Sequence, residues 1–158
     1  MMHGAMLRRR RSDDGAAAVE FALVAPLLIF LLFAIIGYGY MLSFRQGLSQ
    51  GAAEGARAAA VAPAVLSDAE VLTSARNAIN QALDSYGVSC VQTSLKRNTT
   101  TAGTCDITIA ACAGDASKLC AKVALSYNYK DNSLLPSFPG LGIVLPSELA
   151  YTAVAEVS

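Results

Sequence analysis

The hydrophobic pattern of the chain is dominated by one long segment near its start. From Phe21 to Phe44 no residue is charged, and this run predicts a single long helix. At about 1.5 Å per residue, such a helix spans the roughly 30 Å hydrocarbon core of a bilayer. Tyr38 and Tyr40 lie near its far end, where an aromatic belt is expected. The pattern therefore predicts a transmembrane segment.

The same helix is expected to extend beyond the membrane. It is predicted to start at Ala16 and to end at Ala62, because the segment after the apolar run is rich in alanine and the next proline is Pro63. Pro26, inside the apolar run, removes one helical hydrogen bond and predicts a kink or a locally melted turn just before it.

Two other periodicities follow this helix. The segment "SDAEVLTSARNAINQALDSYG" predicts an amphipathic helix that starts with a capping box of Ser67 and Glu70 and stops at Gly87. Four later segments alternate apolar and polar positions and predict strands: "VSCVQTSL", "CDITIAA", "KVALSYNYK" and "ELAYTAVAEV". The proline-rich segment 132–147 predicts a long loop. The fold class is therefore α+β, with a long N-terminal transmembrane helix and a small head of one amphipathic helix on an antiparallel sheet.

Small residues recur at every fourth position in the second half of the long helix. They are Gly39, Ser43, Gly47, Gly51, Gly55 and Ala59. Such a row lets another helix approach closely, and because four residues exceed one turn by about 40°, the row suits a neighbour that crosses obliquely. Chance in a Gly/Ala-rich segment is the alternative. Each interior glycine costs about 1 kcal/mol of helix stability relative to alanine, which argues against accident.

The charges are unevenly distributed although the formal net charge is zero. A block of four arginines precedes the apolar run, and this favours a cytoplasmic N-terminus with the head on the other side of the membrane. The block comprises Arg8, Arg9, Arg10 and Arg11. A zero net charge provides no global basic field, so it does not point to nucleic acid as a partner.

All four cysteines lie beyond the transmembrane segment, where an even number predicts disulfides. They are Cys90, Cys105, Cys112 and Cys120. Three pairings are possible. We favour Cys112–Cys120, which flank the predicted loop "AGDASKL", and this leaves Cys90–Cys105. A zinc site is the rival interpretation, but the spacing contains no C-x-x-C and no histidine is near.

Catalytic motifs are absent from the sequence. There is no phosphate-binding glycine loop, no HExxH and no GxSxG, and the one histidine, His3, precedes the arginine block. The scattered carboxylates of the head are most simply solvated surface. We therefore expect a structural or interaction protein rather than an enzyme, with neither a cofactor nor a metal ion.

The residues around Gly15 match the cleavage pattern of type IV prepilins. In that pattern a glycine ends a short basic leader, and a glutamate, here Glu20, is the fifth residue of the mature chain at the start of an apolar helix. The wider segment "GAAAVEFALVAPLL", together with the later "GAR" at 55–57, resembles the TadE-like minor pilins and pseudopilins of tight-adherence (type IVc, Flp-type) pilus systems. The resemblance covers roughly residues 8–62.

The resemblance implies a processing event and a set of partners. A prepilin peptidase is expected to cut after Gly15, which makes Ala16 the new N-terminus. The parts are then a leader at 1–15, a transmembrane and extended helix at 16–62 and an extracytoplasmic head at 63–158. Glu20 is expected to meet the terminal amine of a neighbouring subunit. Other pilins and the assembly platform of the inner membrane are the expected partners.

Two features favour a minor component over the main filament subunit. Phe21 stands where the major pilins of these systems usually carry tyrosine, and the head is longer than that of a major Flp-type pilin. Other interpretations stay open. They are a secretory signal cleaved near "GAAEGARAAA", an unprocessed signal anchor that carries a binding domain, and a Glu20 that merely reaches water. A secretory signal fits poorly, because the apolar run is about twice the usual length.

Overall fold

A computed structural model describes residues 6–63, 66–135 and 145–157. The chain divides into two units, Met1–Tyr38 and Gly39–Ser158. The helices and strands in chain order are α1 (Met6–Ala60), α2 (Asp68–Leu83), a 3₁₀ turn (Asp84–Tyr86), β1 (Val88–Val91), β2 (Ser94–Arg97), β3 (Thr100–Cys112), β4 (Asp115–Tyr127) and β5 (Leu149–Glu156). The predicted fold class, a long apolar helix followed by an α+β head, is confirmed.

Helix α1 differs from its prediction at both ends and in the middle. It begins at Met6 rather than Ala16, because the methionine, leucine and arginines that precede Gly15 are good helix formers. It ends at Ala60, two residues earlier than expected. Helical structure also continues through Pro26, so of the two predicted outcomes the melted turn is wrong and the kink stays a prediction. The flanking apolar residues favour helix strongly enough to retain it with one hydrogen bond missing.

Helix α2 forms as its sequence predicts. The Glu70 carboxylate accepts hydrogen bonds from the backbone nitrogen and the hydroxyl of Ser67, each at 2.8 Å, and these bonds lower the pKa of Glu70. The buried face consists of Val71, Ala75, Ile79 and Leu83. A 3₁₀ turn extends the helix to Gly87, whose φ of +64° is the left-handed conformation that ends helices and that glycine adopts without strain.

The sheet has five antiparallel strands in sequence order, β1 to β5. One more strand is present than predicted, because "VSCVQTSL" folds back on itself. Gln92 takes a φ of +56°, so β1 and β2 form a hairpin in which Cys90 lies opposite Leu95. A left-handed glutamine is uncommon, and the turn contains neither glycine nor asparagine, so no sequence signal marked it.

The connection between β3 and β4 is shorter than expected. The predicted loop "AGDASKL" is mostly strand, since β4 begins at Asp115 and pairs with Cys112. The turn needs only Ala113 and Gly114, the latter with a φ of +99° that favours glycine. Of the predicted loop 132–147, the part 136–144 lies outside the described residues.

The core of the second unit includes part of α1. Phe44, Leu48, Ala52 and Ala56 recur at every fourth position of α1, and each is at most 1% exposed. They pack against α2 and against the inner face of the sheet, and the ring of Phe44 lies 4.8 Å from that of Tyr127 between centroids. The C-terminal part of α1 is therefore a structural element of the head as well as its connection to the apolar segment.

Candidate functional site

Gly15, Ala16 and Glu20 lie in consecutive turns of α1, and all three are exposed. A methyl group added at Gly15 meets nothing within 4 Å. Glycine in a helix interior costs about 1 kcal/mol relative to alanine, so folding of the described chain gives no reason for glycine at this position. Its presence points to a requirement outside the fold.

Helix α1 has the length and composition of a membrane anchor. Within Gly15–Ala60, the most apolar stretch has a mean hydropathy of 2.8, and none of that stretch is buried inside the protein. Large apolar side chains such as Leu23, Leu27 and Ile35 are more than 60% exposed. Side chains of this kind are stable in lipid or against other apolar helices, and they are unfavourable in water.

The small-residue row in α1 meets the chain's own helix α2. A methyl group added at Gly55 would lie 2.6 Å from Cγ1 of Ile79, and one added at Gly51 would lie 3.6 Å from Cβ of Ala82. Ala59 is 2% exposed in a cluster with residues of α2. Glycine at these positions lets the two helix backbones approach closely.

The two ends of the row differ. At Gly47 an added methyl group would lie 2.6 Å from Cε2 of Tyr86, whereas at Gly39 it meets nothing within 4 Å. The Tyr86 hydroxyl donates a hydrogen bond of 2.9 Å to the carbonyl oxygen of Ser43 and lies 2.8 Å from its hydroxyl oxygen. Tyr86 thus joins the end of α2 to α1, and Gly39 takes no part in this contact.

Both disulfides favoured by the sequence are present. Cys90 and Cys105 are bonded and lie in the core, 3% and 1% exposed. Cys112 and Cys120 are bonded near the turn that joins β3 to β4. In the part of the chain that the structure describes, no group of histidine, cysteine or carboxylate side chains is arranged to hold a metal ion.

Several polar contacts were not anticipated from the sequence. Nε of Arg45 donates a hydrogen bond to the Tyr151 hydroxyl, and its guanidinium carbon lies 5.9 Å from the centre of that ring. Arg97 donates to the carbonyl oxygens of Ser133 and Leu134, at 2.6 and 3.2 Å. Both contacts join positions far apart in sequence, so no local pattern predicts them. The one feature of the sequence that singles out Arg45 is that it is the first charged residue after the apolar run.

The described residues thus form a long, apolar N-terminal helix of the kind that anchors a protein in a membrane, followed by a small α+β head. A family model described as TadE-like protein matches residues 15–57, which confirms the resemblance over this segment. The match starts at Gly15 and ends before α2 and the sheet. No curated protein and no solved structure matches the chain significantly. The match is therefore a resemblance of the N-terminal helix to TadE-like proteins, and it does not include the sheet.

Proposed function

We propose that this chain is a minor pilin or pseudopilin that supports assembly of a tight-adherence type IV pilus. The observation that carries the proposal is the TadE-like match beginning at Gly15, the residue that ends the basic leader. Glu20 follows at the spacing of type IV prepilins, and the exposed apolar face of α1 supplies the membrane segment. The glycine that ends the leader, the glutamate five residues later and the apolar segment thus all lie in the same stretch of α1.

Gly15 is the proposed recognition residue for a prepilin peptidase, which cuts before Ala16. A peptidase must bring its catalytic groups close to the scissile bond, and a residue without a side chain permits the closest approach. The open surroundings of Gly15 support this role, because in the described part of the chain nothing within 4 Å of an added methyl group selects against a larger side chain there. The leader 1–15 is then lost, which leaves α1 from Ala16 to Ala60 and the rest of the head.

Glu20 acts after cleavage in this proposal. Near the end of a membrane helix a carboxylate is tolerated, but it is unfavourable once it is surrounded by other apolar helices. The amine released at Ala16 of a neighbouring subunit offsets this desolvation when it pairs with Glu20. An unpaired charge in the same environment is strongly destabilising, so the pair also selects the correct axial position of one helix against the next.

Membrane orientation follows from the arginine block at 8–11. These charges favour the cytoplasmic side of the inner membrane, so the head lies outside. The two disulfides are consistent with an oxidising compartment. The proposed partners are the prepilin peptidase, other pilins and the assembly platform. The matched family consists of structural pilus components, and we assign this chain no enzymatic activity and no cofactor.

The mature N-terminus of the full chain, purified from membranes and measured by mass spectrometry, tests this proposal. We expect Ala16. The variant Gly15→Leu should keep its leader and accumulate uncut, whereas Gly4→Leu, inside the leader, should mature normally. A start at Met1 or Met2 in the parent protein would indicate an unprocessed signal anchor, and a start between Ala53 and Ala60 would indicate a cleaved secretory signal.

A further inference from the structure

The two edges of the sheet differ in whether other parts of the chain form hydrogen bonds with their outward backbone groups. At the β1 edge, the side chain of Asn80 on α2 binds both backbone groups of Cys90. Its Oδ1 accepts from the Cys90 nitrogen at 2.6 Å, and its Nδ2 donates to the Cys90 oxygen at 3.4 Å. Arg76 donates to the Gln92 oxygen at 3.3 Å. This edge is therefore occupied by side chains of α2.

The opposite edge, on β5, has a row of backbone groups that the described residues leave unbonded. The Val157 nitrogen donates to the Leu119 oxygen of β4 at 2.8 Å, so the odd-numbered residues of β5 turn their backbone groups toward β4. The N–H and C=O groups that point the other way belong to Ala150, Thr152, Val154 and Glu156. Among the residues that the structure describes, no hydrogen bond reaches these groups.

Strand β5 also lacks the devices that usually protect an edge. Its eight residues, "LAYTAVAE", contain no proline, pair with β4 without a bulge and carry a single charge, at Glu156. Val154 is 59% exposed beside the free edge. Natural edge strands are normally shielded by bulges, prolines or several charges, and an unshielded one is suited to pairing with another strand.

A cavity of about 340 Å³ opens beside this edge on the face that carries α1. It is lined by Leu42, Arg45, Gln46, Ser49 and Tyr151. A strand added to β5 would send alternate side chains toward this face, and one of them would enter the cavity next to the guanidinium. Guanidinium groups bind carboxylates preferentially, so an acidic side chain complements the cavity.

We propose that the free edge of β5 and this cavity together bind an extended segment of a partner protein by strand addition, and that the segment carries an acidic side chain beside Tyr151. A second copy of the chain fits less well. Its β1 edge is already bonded to α2, and the residues of β5 that would face the cavity are Leu149, Tyr151, Ala153 and Ala155, none of which is acidic.

This inference concerns a surface of the head and goes beyond the assembly role proposed above. It does not depend on cleavage after Gly15, because the edge, the cavity and Arg45 all belong to the unit from Gly39 onward. The two proposals can therefore fail separately. A chain that is never cleaved would still present this surface, and a cleaved chain that does not bind the acidic segment would contradict only the present inference.

The full chain in detergent and two fluorescent peptides test the proposal by fluorescence anisotropy. Each peptide has eight residues of alternating threonine and valine. One carries a glutamate at a central position and the other a lysine there. We expect the glutamate peptide to bind at least about tenfold more tightly than the lysine peptide. Failure of the glutamate peptide to bind, or equal binding of the two peptides, would overturn the proposal.

Three variants separate the backbone contribution from that of the cavity. Thr152→Pro removes an outward N–H that β4 does not use, and proline is tolerated at such edge positions, so we expect about tenfold weaker binding. Thr152→Val keeps the N–H and should bind like the parent. Arg45→Gln should retain binding but lose the preference for glutamate, which keeps the proposal testable if the proline variant misfolds. Parent-like behaviour of both Thr152→Pro and Arg45→Gln would contradict it.

Self-pairing of β5 is measured separately with Ala153→Cys. Two antiparallel β5 strands paired about this residue would bring the two Cα atoms within about 4.5 Å, close enough for a disulfide. The proposal expects a monomer on non-reducing gels, as for the offset control Val154→Cys. A disulfide-linked dimer of Ala153→Cys alone would show that the edge takes a second copy, and it would overturn the assignment to a partner protein.

Discussion

Glu20 is the residue on which the proposed assembly depends, and in the part of the chain that the structure describes it forms no ion pair. The side chain is exposed in the described structure, so the role that we propose for it depends on contacts with other molecules. Burying it among apolar helices without a counter-charge would be strongly unfavourable. The proposal therefore makes the charge of this side chain, rather than its size, the property that matters.

Glu20→Gln keeps the size of the side chain and removes its charge. We expect this variant to insert and to be cut after Gly15, but to lose pilus formation and crosslinking to other pilins. Glu54→Gln is the matched control, because Glu54 forms an exposed ion pair of 3.6 Å with Arg57 and such pairs contribute little. Pilus counts and crosslinked adducts are the measurements. Normal pilus assembly by Glu20→Gln would contradict the proposed pairing between subunits, and Glu20 would then be only a charge at the membrane interface.

Tyr127 couples the stability of the head to alkaline pH. Burial raises the pKa of its hydroxyl from 10.0 to about 12. In the unfolded chain the hydroxyl ionises near pH 10, so the stabilising contribution of the neutral form is complete below that pH. It is lost as the pH rises through the folded value.

We expect the denaturation midpoint of the parent protein to fall between pH 10 and pH 12 and that of Tyr127→Phe to fall less. The phenylalanine variant should be less stable at pH 7 by about 1 kcal/mol, because the hydroxyl donates a 2.9 Å hydrogen bond to the Asn132 oxygen. Chemical denaturation at pH 7, 10 and 12 measures both effects. An equally steep decline in the variant would assign the alkaline loss to other groups.

At the scale of elements, the close crossing of α1 and α2 depends on glycines. Gly55→Leu places a side chain where the first added carbon already lies 2.6 Å from Ile79. Overpacking of this kind typically costs about 1–3 kcal/mol. Gly39→Leu is the control on the same helix, and it should be neutral or slightly stabilising because nothing lies within 4 Å.

Thermal denaturation of the two leucine variants in detergent, followed by circular dichroism, measures the difference. A lower midpoint for Gly55→Leu with an unchanged midpoint for Gly39→Leu is the expected result. Equal midpoints would mean that α2 can move aside at no cost, and the small-residue row would then lose its structural explanation within the chain.

The elements that the sequence predicted correctly are those whose signal is local. The capping box of Ser67 and Glu70 and the periodic apolar face of α2 depend only on residues within a few turns of each other. The β1–β2 hairpin was missed because its turn uses Gln92, a residue without a turn preference, and the pairing energy of the strands imposes the conformation. The partner of the small-residue row was not predictable either, since spacing specifies a close neighbour but not which helix it is.

At the scale of the molecule, the proposed cleavage site and the boundary between the two compact units lie at different positions in the chain. The cleavage proposal separates residues 1–15, whereas the compact unit that contains the sheet starts at Gly39. One face of α1 between Met41 and Ala60 belongs to the core. Removing this segment would expose the inner face of the sheet and the buried stripe of α2.

Two fragments test this division. A fragment of residues 39–158 should be soluble after oxidation and should unfold cooperatively, whereas one of residues 63–158 should lack a cooperative transition. The reason is that Phe44, Leu48, Ala52 and Ala56 form one wall of the core, and the shorter fragment leaves that wall open to water. Urea denaturation followed by tyrosine fluorescence distinguishes the two. Cooperative unfolding of the shorter fragment would contradict the structure.

The order of strands in the sheet has a consequence for synthesis. Strand β4 pairs with β3 on one side and with β5 on the other, and β5 is translated after every other strand. Until β5 has paired with β4, one flank of β4 has unbonded backbone groups, which are prone to pair with other chains. A chain that is shortened to end before Leu149 should therefore keep that flank of β4 unpaired, and we expect it to aggregate more readily than the full chain.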